Sequence, residues 1–412
     1  MLEALLKRVI RTGALAVRLP SGEVMTFGEA EDAPLRIAIR DRRTALRLAI
    51  NPQLALGEAY VDGGLVIERG ELWDLLDLIG RNLPQRTGRP PLLTRLLGRL
   101  DQMNSRRASR RNVEHHYDLG LDLYRRFLDE DLQYSCAYFQ HPDTSLEQAQ
   151  QAKKRRLAAK LALRPGLRVL DIGCGWGGLA MSLAEQASVR VTGITLSPEQ
   201  LAAARARAAE RGLSDDVEFR LQDYRDMDGP FDRIVSVGMF EHVGRPNYRA
   251  YFDSIARLLA DDGVAVVHSI GVTSPAGRVQ PWIGKYIFPG GYTPALSEVL
   301  PAIEQAGLWV TDVEVLRLHY AQTLRAWRER FTARRAEIAR DYGERFCRIW
   351  EFYLCLSELG FRYRGCMVFQ IQLARRVDAL PITRDYMSDP VAADGTGGRR
   401  RRTPGARLQQ RT

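Results

Sequence analysis

The hydrophobic and polar positions of the first eighty residues follow two different periods. Residues 15–19 and 35–39 alternate apolar and polar side chains, which is typical of half-buried strands. Segments 42–49 and 52–60 have the composition of helices, and segment 71–79 repeats its leucines with a helical period. Turn-forming residues separate these segments. The pattern predicts a small α/β domain, in which no residues have catalytic spacing.

Short apolar runs in the second half of the chain predict buried strands at 168–172, 189–196, 217–222, 233–237 and 264–270. Helical segments lie between these runs, and another, 148–163, precedes them. Alternation of buried strands with helices is typical of a doubly wound α/β fold around a parallel sheet. We therefore expect residues 112–387 to form one large domain behind a smaller domain of residues 1–80.

A glycine-rich turn follows the first of these strands. Gly173, Gly175 and Gly177 allow the backbone to approach a ligand closely, because glycine has no Cβ and adopts positive φ readily. Asp171 precedes them, and the DxGxG pattern resembles the S-adenosylmethionine (SAM) site of class I methyltransferases. A glycine turn alone also fits a dinucleotide, or a tight turn that binds nothing.

Polar residues lie at or near the carboxyl ends of the predicted strands. They are Asp171, Thr195, Asp223, Glu241 and His268. In open α/β sheets, ligands bind at this edge. The second strand ends in threonine rather than the acid that often binds ribose hydroxyls. The shared position of these residues favours one ligand site at the edge of the sheet.

The composition is ordinary for a globular protein and excludes several classes. The chain has 412 residues, of which 45% are hydrophobic, enough for two domains with large cores. No apolar run approaches the ~20 residues that span a bilayer, and residues 1–11 lack the features of a signal peptide. The five cysteines have no metal-binding spacing. We therefore expect reduced thiols, a cytoplasmic protein and no metal site.

Positive charge is concentrated in two segments. The net charge is +10, and residues 81–111 contain nine arginines and one aspartate. Within this basic linker, the leucine-rich segment 92–100 suits either a membrane-interface helix or a helix packed between domains. Six more arginines occupy residues 399–412, in a tail (388–412) that we expect to be disordered. Charge alone fits either nucleic acid or an anionic membrane surface.

Several longer motifs together resemble the cyclopropane-fatty-acyl-phospholipid synthases. In chain order they read HYDLG, YSCAYF, VLDIGCGWGG, VTGITLS, LQDYRD, FDRIVSVGMFEHVG, HSIG, WIGKYIFPGGY and TLRAWRERF. The resemblance extends from about residue 115 to residue 387, and residues 1–80 are more loosely similar to the smaller domain of the family. It implies a class I SAM-methyltransferase (Rossmann-like) fold and a homodimer.

The resemblance also implies a reaction. The methyl group of SAM is added as a methylene bridge to a cis double bond of an unsaturated phospholipid acyl chain, giving a cyclopropane and S-adenosylhomocysteine. Ring closure needs a base, which in the family is a bound bicarbonate. The positions of the family's bicarbonate pocket correspond in this sequence to Cys136, Glu241, His268, the Ile270 backbone and Tyr320. The SAM site matches Tyr134, Ser135, Asp171, Gly173, Gly175, Gly177, Thr195, Gln200, Gln222 and Asp223.

Other interpretations stay open at this point. Taken singly, His268 can be interpreted as a hydrogen-bonded core histidine, and Cys136 as a small buried apolar residue. Related lipid methyltransferases make methyl-branched or methylene-bearing chains, while a small-molecule or RNA methyltransferase, or a non-catalytic lipid-binding protein, would share the fold. Family members often have a cysteine where Ser357 stands here, and Cys355 lies on a different helical face. We expect neither residue to take part in the chemistry.

The implied substrate lies in a bilayer. We therefore expect the protein to bind an anionic surface of the inner membrane peripherally, from the cytoplasm. Basic residues near an anionic leaflet contribute about 1 kcal/mol each, and residues 1–80 are a second candidate contact. No RNA-binding module is recognisable, so we expect no nucleic-acid partner. The arginines expected to supply much of the attraction are Arg95, Arg99, Arg106, Arg107, Arg110 and Arg111.

Overall fold

The computed structural model describes residues 1–29, 33–83, 120–273, 280–289 and 291–388. The first two ranges form a four-stranded sheet with helices packed against it. Its strands are β1 (Ala14–Arg18), β2 (Val24–Gly28), β3 (Leu35–Ile39) and β4 (Leu65–Arg69), in the order β2-β1-β3-β4. Of the three strand pairs, β1 and β3 are parallel and the other two are antiparallel. The helices are α1 (Leu2–Val9), α2 (Arg42–Ile50), α3 (Pro52–Val61) and α4 (Leu72–Asn82).

The predicted strands and helices of this small sheet are all present, and local capping fixes their starts. Asp41 accepts a hydrogen bond from the backbone N–H of Thr44 (2.8 Å) and so caps α2. The edge strands β2 and β4 were not predicted. Each has a single buried side chain, Phe27 in β2 and Leu65 in β4, which leaves almost no apolar alternation to detect.

The second sheet has seven strands in the order β10-β11-β9-β8-β5-β6-β7. They are β5 (Arg168–Ile172), β6 (Arg190–Thr195), β7 (Val217–Leu221), β8 (Phe231–Val237), β9 (Leu259–Val272), β10 (Trp309–Val315) and β11 (Cys366–Ala374). The doubly wound α/β class is confirmed, and the five predicted strands, β5 to β9, are all parallel to one another. Beyond these five parallel strands, the sheet has an antiparallel part that the sequence did not predict, because β11 runs antiparallel to both β9 and β10.

Helices cover both faces of this sheet. They are α5 (Leu121–Arg125), α6 (Leu146–Lys160), α7 (Gly178–Ala187), α8 (Pro198–Glu210), α9 (Tyr248–Leu258), α10 (Pro281–Tyr286), α11 (Leu296–Gln305), α12 (His319–Ala333), α13 (Arg335–Tyr342), α14 (Glu344–Tyr363) and α15 (Asp385–Ser388). The helix predicted at 148–163 begins two residues earlier, at Leu146. Ser145 and Gln148 form a reciprocal capping box there (3.2 and 3.1 Å), which fixes the start of α6.

Two buried glutamines interrupt the apolar pattern of β11, the antiparallel strand. Gln370 lies beside His268, with 3.1 Å between Nε2 and Nδ1. Gln372 donates a hydrogen bond to the carbonyl of Lys160 at the end of α6. Because the Nε2 group of each amide has a partner, a strand buried along nearly its whole length tolerates both glutamines. The polar positions explain why the strand is hard to recognise in the sequence.

The small sheet is joined to the large one by close aromatic packing. A Cβ on Gly57 of α3 would lie 2.4 Å from Nε1 of Trp282 and 2.6 Å from the Phe352 ring. Only glycine therefore allows α3 to approach α10 and α14 this closely. On α4, Trp73 lies under the guanidinium groups of Arg328 and Arg362 (5.2 and 5.7 Å to the ring centroid).

Several predictions concern residues outside the described ranges. Most of the basic linker (84–111), including segment 92–100, and the tail from residue 389 lie there. The proposed membrane contact of the linker arginines and the disorder of the tail stay predictions. Within the described ranges, no helix is both long enough and apolar enough to cross a bilayer.

Candidate active site

A cleft opens at the carboxyl ends of β5, β6, β7 and β8, the edge that the sequence predicted. It holds about 1240 Å³ of empty space, part of it open to solvent. Nine of the ten residues predicted for SAM line it: Tyr134, Ser135, Asp171, Gly173, Gly175, Thr195, Gln200, Gln222 and Asp223. The chain brings these residues together from the ends of three strands (β5, β6 and β7), the first turn of α8 and one loop.

The glycine turn forms one wall of the cleft. Gly173 and Gly175 have φ of +84° and +53°, in the left-handed region that favours glycine. Gly177, the tenth predicted residue, is not among the described residues of the cleft wall. It precedes α7 with φ of +80°, and a Cβ there would lie 2.6 Å from Phe219. Helix packing therefore explains the glycine at this position.

Asp171 places an unpartnered carboxyl group against the cleft. The residue is buried, and its Oδ2 has no hydrogen-bond partner among the described residues. Burial raises the pKa of Asp171 to about 7, and the positive charge of Lys153 opposes that rise. A buried carboxyl oxygen without a donor is costly. The site therefore suits a ligand that brings a cationic or hydrogen-bonding group to Asp171.

The next two strand ends are tied to each other by hydrogen bonds. Thr195 Oγ1 donates to Gln200 Oε1 (2.8 Å), and the backbone N–H of Gln222 donates to the Thr195 carbonyl (3.1 Å). Asp223 accepts two hydrogen bonds from Arg225 (2.8 and 2.5 Å). Arg225 also lines the cleft, although the sequence analysis did not select it. This wall is polar and fixed in position.

The opposite wall comes from the loop before α6 and is aromatic. Tyr134 stacks on Trp327 with 5.1 Å between ring centroids. Its hydroxyl lies 2.8 Å from the hydroxyl of Tyr353 on α14. Burial raises the pKa of both phenols, that of Tyr353 to about 12. Both groups are therefore neutral hydrogen-bonding groups at physiological pH, beside a large apolar surface.

Among the five predicted catalytic residues, Glu241 and Ile270 are in direct contact. The backbone N–H of Ile270 donates to Glu241 Oε1 over 2.6 Å. The other oxygen, Oε2, is buried without a hydrogen-bond partner among the described residues. Removal from water raises the pKa of Glu241 to about 7, and the Ile270 hydrogen bond opposes this rise. A carboxyl group of this kind can gain or lose a proton near neutral pH.

The other three catalytic candidates are buried close to elements of the cleft. His268 lies on β9 beside Gln370, and burial holds the pKa of its imidazole well below the usual value. Burial likewise raises the pKa of the Cys136 thiol, so it is not a thiolate. Tyr320 packs on Trp327 and Phe361. None of the five is among the described residues of the cleft wall.

Some cleft residues were missed although they lie within or beside quoted motifs. Met239 and His242 belong to the GMFEHVG motif, Trp176 to the glycine motif, and Asn247 follows shortly after. Removal from water lowers the pKa of His242 to about 4, so its imidazole is neutral at physiological pH. Their proximity in sequence to Glu241 and Gly175 could have predicted their place in the cleft, because a loop that follows a strand presents several neighbouring residues to one site.

Neither cysteine of the late helix α14, Cys347 or Cys355, is among the described residues of the cleft wall. Cys355 is buried in the aromatic core, and burial raises its pKa above the usual range. Ser357 lies two residues further along the same helix and is half-buried. Neither residue is among the described residues of the cleft wall. The helix contributes Tyr353 instead, through its contact with Tyr134.

Comparison with known proteins identifies the family. Residues 104–371, more than half of the chain, match the family described as mycolic acid cyclopropane synthetase. The chain belongs to this synthetase family. It is therefore an enzyme of the class I SAM-methyltransferase fold. Residues 1–85 match a separate domain family of unknown function.

Curated relatives of the synthetase family cover most of the chain. The cyclopropane-fatty-acyl-phospholipid synthase of Escherichia coli (strain K12) is 41% identical over 347 residues, which are 84% of this chain and 89% of the relative. The tuberculostearic acid methyltransferase UfaA1 of Mycobacterium tuberculosis is 36% identical over 394 residues, 90% of this chain and 91% of the relative. The family thus includes relatives named for different lipid products.

Solved structures of synthetase family members match the large domain. The cyclopropane synthase MmaA2 from Mycobacterium tuberculosis is 34% identical, with a TM-score of 0.61 over 64% of this chain and 98% of that chain. Mycolic acid cyclopropane synthase CmaA1, complexed with S-adenosylhomocysteine (SAH) and CTAB, is 36% identical, with a TM-score of 0.61 over 64% of this chain and 97% of that chain.

Proposed function

We propose that the enzyme converts a cis double bond of an unsaturated phospholipid acyl chain into a cyclopropane, with SAM as methyl donor and bicarbonate as base. The alkene π electrons form a bond to the methyl carbon as the sulfur–carbon bond breaks, and S-adenosylhomocysteine leaves. A base then removes a proton from the added methyl group, and that electron pair closes the ring. The chain must therefore hold a base near the alkene and exclude water from the cation.

The cleft is suited to SAM on the basis of its own residues. Asp171 has a buried oxygen without a described partner, which the α-ammonium group of SAM would satisfy. Thr195 and Gln200 supply neutral polar groups where a ribose would bind, and Gln222 and Asp223 lie where the adenine is expected. The glycine turn leaves open space beside Gly175, since no atom lies within 4 Å of where its Cβ would be.

The aromatic wall beside Tyr134 supports an apolar acyl chain as the second substrate. Tyr134 and Trp176 line the cleft, and the apolar cluster to which they belong continues into the core with Trp327, Tyr320 and Trp350. Such a wall removes water from the reacting carbons, which protects the carbocation from hydration. The related CmaA1 was crystallised with CTAB, a single-chain detergent.

The single observation that carries the proposed base is the Glu241 carboxyl group. Its Oε1 accepts the Ile270 N–H at 2.6 Å, while the buried Oε2 has no described partner. An anion with its own hydroxyl, such as bicarbonate, would satisfy Oε2 by donating a hydrogen bond. Bound bicarbonate supplies a small base beside the alkene. Glu241, as a carboxylate, would orient that base and accept its proton.

A product analysis tests the reaction directly. Incubation with methyl-labelled SAM and vesicles of an unsaturated phospholipid should yield labelled cyclopropane acyl chains, identified by mass spectrometry after hydrolysis. Saturated phospholipid is the control and should take up no label, because it has no π electrons to attack SAM. Labelled methyl-branched or methylene chains would contradict the cyclopropane assignment. They would instead indicate a lipid methyltransferase without ring closure, the alternative that the similarity to UfaA1 supports. Absence of label from all lipids would contradict both.

We also propose that the small domain contacts the lipid surface through α2. Leu46 and Ile50 lie one turn apart on this helix and are 52% and 68% exposed. Arg43 and Arg47 lie one turn apart on the same helix and are also exposed. Apolar side chains next to basic ones are suited to an anionic membrane interface. The linker arginines predicted from the sequence would add to this attraction.

Vesicle sedimentation tests the α2 contact. Replacing Leu46 and Ile50 together with serine should weaken binding to anionic vesicles by at least about tenfold, because each side chain contributes ~1.5–3 kcal/mol when fully buried. Val24→Ser is the matched control, since Val24 is 48% exposed on β2 of the same domain and should bind vesicles normally. Unchanged sedimentation of the double variant, or equal weakening in the control, would refute the α2 contact.

A further inference from the structure

One face of α6 holds the loop that forms the aromatic wall of the cleft. Gln150 Nε2 donates to the carbonyls of Gln133 and Ser135 (3.2 and 2.9 Å). One turn later, Lys153 Nζ donates to Gln133 Oε1 (2.6 Å) and Ser135 Oγ (2.8 Å). The next residue, Lys154, pairs with Asp131 (2.5 Å). Gln150 and Lys153 therefore fix residues 133–135 of this loop, whereas Lys154 holds only Asp131, which precedes them and is not among the described residues of the cleft wall.

The two neighbouring lysines differ in their partners. Both are buried, at 0% and 2% exposure. Lys154 has a carboxylate partner, Asp131, which is also paired with Arg207 and Arg211. Lys153 forms no ion pair with a described carboxylate, and its two described acceptors are neutral oxygens. Burying an ammonium group without a carboxylate is costly, so a role in the site would account for it.

The contact with Lys153 determines how Ser135 can act. An ammonium group has only donors, so Ser135 Oγ must be the acceptor in this hydrogen bond. The hydroxyl hydrogen of Ser135 then points elsewhere and can be donated to another group. Ser135 lines the cleft, so that group can be a ligand. The positive charge behind the hydroxyl favours an anionic acceptor.

The arrangement is complementary to an amino acid zwitterion. Asp171 faces the cleft with an unpartnered carboxyl oxygen, which suits an ammonium group. Ser135, supported by Lys153, suits a carboxylate. The charge of Lys153 also acts on Asp171, since it opposes the rise in the pKa of that carboxyl. The amino-acid end of SAM has both groups on one carbon.

We propose that Lys153 is a positioning residue that holds Ser135 as a hydrogen-bond donor for the carboxylate of SAM. This inference rests on the proposed function, because it requires SAM as the ligand of the cleft. Lys153 does not touch SAM. It acts through the Ser135 hydroxyl, so its effect requires both Ser135 and the ligand carboxylate.

Calorimetric binding of two ligands tests this role. SAH retains the carboxylate, whereas 5′-methylthioadenosine lacks the amino-acid end. Lys153→Met should weaken SAH binding by about 10- to 100-fold, the usual loss for a hydrogen bond to a charged group, and leave methylthioadenosine binding unchanged. Ser135→Ala should give the same pattern. The double variant should lose no more than the larger single loss, since both residues act on one contact.

The neighbouring lysine supplies the matched control. Lys154→Met removes an equally buried charge but leaves Asp131 paired with Arg207 and Arg211, so its SAH affinity should stay near wild type. Lys153→Gln keeps a donor for Ser135 and should recover part of the loss; it also replaces Lys153→Met if that variant does not fold.

The outcomes separate this inference from the proposed function. Failure of the wild-type enzyme to bind SAH would contradict the proposed function itself. If the wild type binds SAH, any of three results overturns the role of Lys153. These are unchanged SAH affinity in Lys153→Met, equal weakening of both ligands, or additive losses in the double variant.

Discussion

Glu241→Gln should lower kcat by about 10²- to 10⁴-fold, the usual contribution of a positioned proton-transfer group. The amide keeps the size of the side chain and can still accept the Ile270 N–H, but it cannot take up a proton from the base. SAM affinity should stay near the wild-type value, because Glu241 is not among the described residues of the cleft wall. Turnover with labelled SAM and calorimetric SAM binding measure the two effects separately.

Glu298→Gln is the matched control for Glu241→Gln. The side chain of Glu298 is also largely buried (6% exposed), but its carboxylate has partners: it pairs with Arg245 (3.2 Å), and the Tyr292 hydroxyl lies 2.9 Å from both of its oxygens. Its variant should lose stability and retain kcat. Removal of bicarbonate and CO₂ should slow the wild type and have little further effect on Glu241→Gln. A wild type indifferent to bicarbonate would mean that a protein side chain is the base, and a folded Glu241→Gln with full kcat would exclude Glu241 from proton transfer.

Gly175→Val should abolish measurable SAM binding. Gly175 has φ of +53°, and its missing Cβ faces open space at the cleft wall. A valine there would occupy ligand space and would be strained by ~1–3 kcal/mol in this backbone conformation. Calorimetry with SAH measures the loss, and circular dichroism shows whether the variant is folded.

Gly212→Val is the control that separates backbone strain from the loss of ligand space in Gly175→Val. Gly212 follows α8 with φ of +68°, has no atom within 4 Å of its Cβ position, and is not among the described residues of the cleft wall. This control should show a similar loss of stability and normal SAH binding. Tight SAH binding by folded Gly175→Val would remove the glycine turn from the SAM site.

The sequence predicted those parts of the site that depend on local chain geometry. Asp171 and the glycines after it follow a buried strand directly, so one short motif determines both the turn and its position at the sheet edge. The family resemblance, now confirmed, selected nine residues of the cleft wall that lie far apart in the chain. Each of these lies at or just after the end of a strand, in the first turn of α8, or in one loop, so its distance in sequence from a strand end indicates its position.

The sequence did not predict contacts that depend on packing between distant elements. Lys153 lies on a helix with charged neighbours, where lysine is normally exposed to solvent, and only the fold shows it to be buried beneath Ser135. Tyr353 reaches Tyr134 across 219 residues. The strand β11 was missed because Gln370 and Gln372 interrupt its apolar run, and their partners come from other elements.

The glycine at position 57 has a consequence for the evolution of the two-domain chain. Trp282 and Phe352 of the large domain occupy the space that a side chain at position 57 would need. A relative that has alanine or a larger residue at this position and keeps both aromatic residues must move those rings or hold its small domain at a different distance or angle. The residue aligned with Gly57 can therefore sort relatives by domain arrangement, even where their catalytic motifs are identical.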